Sequence, residues 1–209
     1  MTIYIPPLFR VEDRRALVDF MERHAFATLV SAGALGIHVS HIPFLVEDGG
    51  EGGLRLVGHV ARANDHWKAL EDDPQAIAIF NGPHGYVSPT WYEHHPSVPT
   101  WNYAVVHAHG RARPLGEAQL AALLERLSAR YEAGNAPPWR MDALPEEFRR
   151  GMMNAVAGFA IEVERLEGKF KLSQNRPGRD AERVAEALEA RGESELAALM
   201  RVHPARSRG

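Results

Sequence analysis

The segment from Gly58 to Lys68 reads GHVARANDHWK and combines two chemical features. A predicted strand ends there and a helix is predicted to start, and Arg62, Asn64 and Lys68 arrive within seven residues. Backbone N–H groups at the start of a helix, together with a guanidinium, form a site suited to a phosphate. The alternative that Arg62 and Lys68 are surface charges and that Asn64 caps the helix stays open.

A second segment is rich in aromatic side chains. Over eighteen positions the chain carries Tyr86, Trp91, Tyr92, Trp101 and Tyr103. Prolines stiffen this segment, and polar side chains accompany the rings, so it could clamp a flat ring. A packed loop or a subunit interface, where Tyr and Trp are also favoured, would explain the same composition.

A third segment, residues 165–179, is basic. It holds five basic residues against one acidic residue, a local net charge of +4 in a chain whose net charge is −3. Ser173, Gln174 and Asn175 add hydrogen-bonding groups. This composition suits a phosphorylated ligand or a nucleic-acid backbone, and a solvated basic loop is the usual alternative.

Cysteine and histidine usage limits the remaining chemistry. The absence of cysteine excludes disulfides, thiolate nucleophiles and cysteine-ligated metals. Among eleven histidines, His107 and His109 alternate along a predicted strand and could share one face. No third ligand follows at a recognisable spacing, so the sequence predicts no dedicated metal site. A Ser-His-Asp triad stays open, although no nucleophile elbow supports it.

The overall charge and hydropathy of the chain argue against a global attraction to DNA and against a membrane partner. The 24 Lys and Arg residues nearly balance the 27 Asp and Glu residues, so no global field draws the chain to DNA or to an anionic membrane. Any nucleic-acid role must rest on a local patch. No apolar run approaches about 18 residues and no signal-peptide core is evident. We therefore predict a cytoplasmic protein with no membrane partner.

The elements that must position these segments are short strands and unevenly placed helices. Strands are predicted over 26–32, 37–46, 54–61, 75–81, 98–113 and 158–166, and helices over 13–24, 65–72, 116–133, 145–155 and 179–202, the last interrupted near Gly192. The charged and glycine-rich stretch 47–53 is typical of a hairpin tip. Helices and strands do not alternate regularly, which argues against a doubly wound parallel fold. The predicted class is α+β, a β-barrel decorated by helices.

Five motifs in order resemble the PaiB family. They are MTIYIPPLF at 1–9, GHVARAN at 58–64, FNGPHGYVSPTWY at 80–92, VPTWNY at 98–103 and GKFKLSQN at 168–175. Members are described as FMN-binding negative transcriptional regulators, linked to sporulation and protease genes in Bacillus. The resemblance implies an antiparallel split β-barrel related to pyridoxamine-phosphate oxidases and flavin reductases, with flanking helices. It implies one domain over residues 1–209, with 179–209 as a helical C-terminal extension.

The resemblance also implies a homodimer with FMN at the subunit interface. In related split barrels a strand end and the following helix start hold the FMN phosphate, which corresponds here to residues 59–68. Trp101 and Asn102 would run beside the flavin ring, and the segment 171–174 would reach the cofactor from the partner subunit or close the site. The implied cofactor contacts are His59, Ala61, Arg62, Asn64, Lys68, Trp101, Asn102, Lys171, Ser173 and Gln174. No catalytic residue is assigned.

The predicted function is that of an FMN-binding negative transcriptional regulator, with DNA contact implied by the resemblance alone. No helix-turn-helix pattern is evident, and the last helix with Arg206 and Arg208 is the only obvious arm. The alternative is an FMN-dependent oxidoreductase similar to flavin reductases, with His59, Tyr86 and Trp101 as pocket residues. A haem or metal protein and a purely structural dimer also stay open.

Overall fold

The computed structural model describes residues 3–49 and 53–204, which hold eight strands and six α-helices. The strands are β1 (Arg10–Val11), β2 (Phe26–Gly33), β3 (Gly36–Pro43), β4 (Leu45–Asp48), β5 (Leu54–Ala61), β6 (Gln75–Val87), β7 (Thr100–Pro114) and β8 (Val156–Lys171). The helices are α1 (Arg14–Arg23), α2 (His66–Asp72), α3 (Glu117–Glu132), α4 (Glu146–Asn154), α5 (Gly178–Ala190) and α6 (Ser194–Val202). None of the helices in these two ranges is long and apolar enough to cross a membrane.

The strands form one sheet in the order β3-β2-β6-β7-β8-β5-β4, and β1 pairs with β8. The pairs β1–β8, β2–β3, β2–β6, β4–β5 and β5–β8 are all antiparallel. Antiparallel strands can be linked by tight turns, and β2 and β3 are joined in this way at Gly33–Gly36. This architecture confirms the predicted α+β class.

The chain divides into two compact units. The first unit contains the described residues of Met1–Phe20, Asn81–His107 and Glu167–Gly209. The second unit contains those of Met21–Phe80 and Ala108–Leu166. The organisation as one domain over residues 1–209 stays a prediction.

The second unit is built around helix α3. Leucines at positions 120, 123 and 127 follow the three- and four-residue spacing of one helix face, and all three are buried. They pack against Leu45, Val57 and Ala160 on β4, β5 and β8. This apolar layer fixes the end of β5, from which the Arg62 turn starts.

The first unit has its own core between β8 and the C-terminal helices. The rings of Phe20 and Phe170 lie 4.9 Å apart, and Leu172, Leu188 and Leu196 are almost fully buried. Gly85 on β6 permits close packing of α6, because a Cβ there would lie 2.9 Å from the Leu196 side chain. The core therefore holds the ends of β6 and β8 in place.

Three predicted strands have different bounds in the structure. The strand predicted over 37–46 is two strands, β3 and β4, which are separated at Phe44. Strand β6 continues to Val87 rather than ending at residue 81, and β8 continues to Lys171 rather than ending at residue 166. Parts of the aromatic and basic segments are therefore strand and not loop. The predicted interruption near Gly192 is confirmed, since α5 and α6 are separate helices and Gly192 has a φ of +84°. The predicted tip at 50–52 and the basic residues Arg206 and Arg208 lie outside the described residues.

Candidate functional site

In the second unit, the predicted phosphate segment is a tight turn between β5 and α2. The Arg62 N–H donates to the Ala155 carbonyl at 2.8 Å, and Trp67 Nε1 donates to the Arg62 carbonyl at 3.0 Å. The guanidinium of Arg62 lies over the Trp67 ring, 5.4 Å from its centroid. These contacts fix the backbone of the turn while the side chain of Arg62 stays exposed.

Asn64 and Lys68 are both engaged within the turn. Asn64 donates through Nδ2 to Ser40 Oγ at 3.0 Å, and its Oδ1 accepts from the His66 N–H at 3.1 Å. Lys68 Nζ donates to Asp65 Oδ1 at 2.6 Å, and this contact lowers the pKa of the Asp65 carboxyl. Asn64 therefore positions the start of α2, and the charge of Lys68 is balanced locally.

The other two predicted residues of this group lie at the end of β5. His59 is half-buried opposite Gly158, its Nδ1 is buried without a hydrogen-bond partner, and burial lowers its pKa. Ala61 is exposed at the last position of the strand. A neutral imidazole at this position can accept or donate one further hydrogen bond.

Arg62 borders a cavity of about 320 Å³ in the second unit. Trp67 and Arg113 also line it, over a floor that includes Leu115 and Phe159. Small-molecule sites have volumes from about 300 Å³ and combine apolar walls with a few polar groups. Arg62 has no acidic partner among residues 3–49 and 53–204, so its guanidinium is available to a ligand phosphate.

In the first unit, the structure brings the remaining predicted residues together. Lys171 Nζ donates to the Trp101 carbonyl at 2.5 Å and to Thr100 Oγ1 at 2.6 Å. Asn102 Nδ2 donates to Ser173 Oγ at 2.9 Å. The start of β7 and the end of β8 are thus joined by two side-chain bridges.

The Asn102–Ser173 bridge is buried. Asn102 also keeps a buried Oδ1 without a partner, and Ser173 has a φ of +68°. A residue other than glycine adopts this left-handed conformation only where its surroundings impose it. Gln174 imposes part of it, since its side chain accepts from the Leu172 N–H at 2.7 Å and donates to the Phe170 carbonyl at 2.6 Å.

Trp101 lies on the opposite, open face of β7, because neighbouring residues of a strand point to opposite sides. Its side chain is 54% exposed. The rings of His84 and Tyr86 on β6 lie 6.5 and 6.0 Å from it, and we call these three side chains the aromatic platform. The rest of the aromatic segment is packed, since Tyr92 is buried beneath Arg176 at 4.1 Å.

Lys169 is absent from the predicted set although it belongs to this region. It is only 8% exposed, and its Nζ lies over the rings of Tyr4 and Tyr103, at 5.4 and 5.3 Å from their centroids. The signal for it is the alternation of Lys169 and Lys171, which places both on one face of an extended strand. That signal depends on β8 continuing to residue 171.

The predicted site residues therefore occur as two groups in different units. His59, Ala61, Arg62, Asn64 and Lys68 belong to the second unit, and Trp101, Asn102, Lys171, Ser173 and Gln174 belong to the first. Each group fits part of a flavin: an available guanidinium with a cavity in one, and exposed rings with an ammonium in the other.

Comparison with known proteins defines the class. Residues 3–165 match the family described as "Putative FMN-binding domain". The fold is similar to that of the flavocytochrome Anf3 from Azotobacter vinelandii, with a TM-score of 0.60 and 17% identity over 78% of this chain and 69% of that chain. The FAD and heme binding protein from Mycobacterium smegmatis gives a TM-score of 0.60 and 16% identity over 78% and 73%. The chain has the predicted split-barrel fold and falls in a flavin-binding family.

A closer sequence relative narrows the class further. Protease synthase and sporulation protein PAI 2 from Bacillus subtilis is 32% identical over 187 residues, which is 90% of this chain and 89% of that protein. This chain therefore belongs to the PaiB family, as its five motifs predicted.

Proposed function

We propose that this chain is an FMN-binding negative transcriptional regulator that acts as a homodimer. The observation that carries the proposal is the match of residues 3–165 to an FMN-binding family. The relative from Bacillus subtilis is named for protease synthesis and sporulation, which supports a regulatory role. FMN supplies a planar redox-active ring when bound, and the protein holds and orients it.

Arg62 is our proposed contact for the FMN phosphate. The side chain of Arg62 is exposed and borders the cavity of about 320 Å³. A hydrogen bond from its backbone N–H fixes the backbone of this residue. Asn64 and Lys68 would act through the turn, since their own polar groups are engaged. Trp101 and Lys171, with Asn102, Ser173 and Gln174 behind them, remain predicted contacts to the cofactor.

The measurement is FMN retention and affinity. Purified protein is incubated with FMN and desalted, and its absorbance spectrum and dissociation constant are recorded. Loss of a charged contact costs about 1.5–3 kcal/mol, so Arg62→Ala should weaken FMN binding by about tenfold or more. Arg150→Ala, an exposed arginine on α4, serves as the matched control. If the wild-type protein takes up no FMN saturably, cofactor binding is refuted; if Arg62→Ala binds normally, only the phosphate assignment fails.

The homodimer proposal is supported by an apolar face on β2 and β3. Phe26, Ile37 and Val39 are 67%, 76% and 55% exposed. In the register, Val30 pairs with Val39 and Ala32 with Ile37, so these side chains share the outer side of the hairpin. The outer positions of these two strands are Phe26, Thr28, Val30, Ala32, Ile37, Val39, His41 and Pro43, and none of them is an acid, a lysine or an arginine.

A second copy of the chain is the partner that this face fits best. In a two-fold dimer the same patch meets itself, and an apolar face without formal charges can do so without placing like charges opposite each other. Light scattering on a size-exclusion column should show a dimer for the wild type and a monomer for Ile37→Asp. Val202→Asp, which changes an exposed residue of α6, should stay dimeric. A wild-type monomer would refute the dimer.

The regulatory proposal is tested with DNA. The protein, with and without FMN, is titrated with promoter DNA and with random DNA at physiological salt. Preferential binding of the promoter supports direct repression, and no binding or equal binding removes it. The oxidoreductase alternative is checked in the same preparation, because steady NAD(P)H oxidation by the FMN-loaded protein would favour it.

A further inference from the structure

Three cations of the basic segment 165–179, Lys169, Lys171 and Arg176, lie in the first unit without an acidic partner among the described residues. Among residues 3–49 and 53–204, no carboxylate lies within ion-pair distance of any of the three. The acids with ion pairs in this unit engage other bases: Glu93, for example, binds the arginines at 179 and 183. Three of the five basic residues of this segment therefore carry a positive charge that no acidic side chain among the described residues pairs with.

Lys169 is the most unusual member, because the residue as a whole is almost fully buried. Only 8% of the residue is exposed, and its Nζ lies 5.4 and 5.3 Å from the ring centroids of Tyr4 and Tyr103. Aromatic faces attract a cation but offset only part of its desolvation. A largely buried lysine without an acidic partner is an arrangement that an anion would complete.

Lys171 and Arg176 are held beside it by neutral groups. Lys171 donates to Thr100 and to the Trp101 carbonyl, and Arg176 donates to Ser97 Oγ at 3.2 Å while it covers the Tyr92 ring. Burial first, and then the charges of Lys169 and Arg176, lower the pKa of the Lys171 ammonium. Lys169 and Lys171 share one face of β8, and both Lys169 and Arg176 act on the charge of Lys171, so a multiply charged anion would relieve the repulsion at Lys171.

The cation cluster adjoins the aromatic platform. Lys171 bonds directly to the backbone of Trp101, whose indole is exposed together with the rings of His84 and Tyr86. A ligand that carries both a phosphate and a flat ring can use both features at once.

We propose that Lys169, Lys171 and Arg176 bind the phosphate of a ligand whose planar ring packs on Trp101. The ligand class is a phosphorylated planar ring. Two sources have this chemistry. One is the phosphate of FMN itself, in which case the inference rests on the FMN binding of the proposed function and replaces Arg62 as the phosphate contact; the other is a second ligand of this class bound in addition to FMN.

The first arm of the test compares FMN with riboflavin, which lacks the phosphate. Lys169→Met removes the charge and keeps the buried stem, Lys169→Arg keeps the charge, and Arg150→Met is the matched surface control. If the cluster holds the FMN phosphate, Lys169→Met should weaken FMN binding by about tenfold or more, leave riboflavin binding unchanged, and be largely restored by Lys169→Arg. In that case Arg62→Ala should have little effect on the ratio of FMN affinity to riboflavin affinity.

The second arm tests an additional ligand with phenyl phosphate as the probe. Calorimetric titration of FMN-saturated protein should show binding of phenyl phosphate that Lys169→Met abolishes and Arg150→Met retains. The same titration is repeated on protein without FMN, so that phenyl phosphate binding is measured even if FMN does not bind at all. If Lys169→Met melts at the wild-type temperature or above, and changes neither the FMN-to-riboflavin ratio nor phenyl phosphate binding, the proposal is overturned.

Discussion

We predict that the buried histidine His66 makes this protein less stable in mild acid than at neutral pH. Its side chain is almost fully buried in the second unit, with Nδ1 2.8 Å from Ser40 Oγ and Nε2 3.1 Å from Ser31 Oγ. Asn64 donates to Ser40, so the Ser40 hydroxyl proton is free to bond to Nδ1, and the ring then donates through Nε2 to Ser31. This arrangement suits the neutral imidazole.

Burial, and then the charge of nearby His38, lower the pKa of His66 from 6.5 to about 4. The unfolded chain therefore binds a proton more readily than the folded protein between these two values. The stabilisation is fully present above the unfolded pKa and is lost as the pH falls toward the folded pKa. The full difference corresponds to about 3 kcal/mol, of which about 2 kcal/mol is lost by about pH 5.

Urea denaturation at about pH 7.5 and about pH 5 measures this loss. Wild-type protein should lose about 2 kcal/mol more of its free energy of unfolding on acidification than His66→Gln, whose amide does not titrate. The control is His95→Gln, an exposed histidine that should lose as much as the wild type. Equal losses in wild type and His66→Gln would refute the reasoning, because all other titrating groups are common to both proteins.

Three further predictions concern stability and are checked by chemical denaturation. Asp180→Ala should cost about 2 kcal/mol, because this fully buried carboxylate accepts from the partly buried Glu93 N–H at 2.8 Å and lies 3.1 Å from His94 Nδ1, and its loss leaves both groups without this partner; an unchanged midpoint would contradict this. Gly110→Ala should cost about 2 kcal/mol, since the new Cβ would lie 2.1 Å from the Glu162 carbonyl oxygen; an unchanged free energy of unfolding would mean that the backbone of β8 shifts without cost. Leu123→Ala should cost about 3 kcal/mol by opening a cavity under α3, and a loss below about 1 kcal/mol would argue against that packing.

Much of the fold follows from local patterns in the sequence. The apolar spacing of α3 and the glycine-bounded strands β2 and β5 are read correctly because one buried face imposes a clear period on each. The ends of β6 and β8 are missed for the opposite reason. Asn81, Gly82 and Pro83 favour a turn locally, yet β6 continues through them to Val87. Neighbouring strands decide such boundaries, and no local signal reports them.

The candidate site is less predictable than the fold. The resemblance supplied ten residues, but it could not show that Asn64 is committed to Ser40, because these two positions are 24 residues apart. Nor could it single out Lys169, whose burial depends on Tyr4 and Tyr103. The burial and partners of a polar side chain depend on contacts between distant parts of the chain, so residue type alone does not reveal which charges are free.

Comparison of the acidic partners of Arg55 and Lys169 supports the proposal that Lys169 binds a ligand and does not stabilise the fold. In the second unit, Arg55 lies between two acids, with Glu47 at 3.3 Å and Glu162 at 3.1 Å, so its charge is balanced within the protein. Lys169 is more deeply buried, contacts the rings of Tyr4 and Tyr103, and has no acidic partner among residues 3–49 and 53–204. Removing a cation from water without an acidic partner costs free energy, and an apolar side chain of similar length avoids that cost. Packing alone would therefore accept methionine at position 169, and the ammonium is better explained by an anion that it binds.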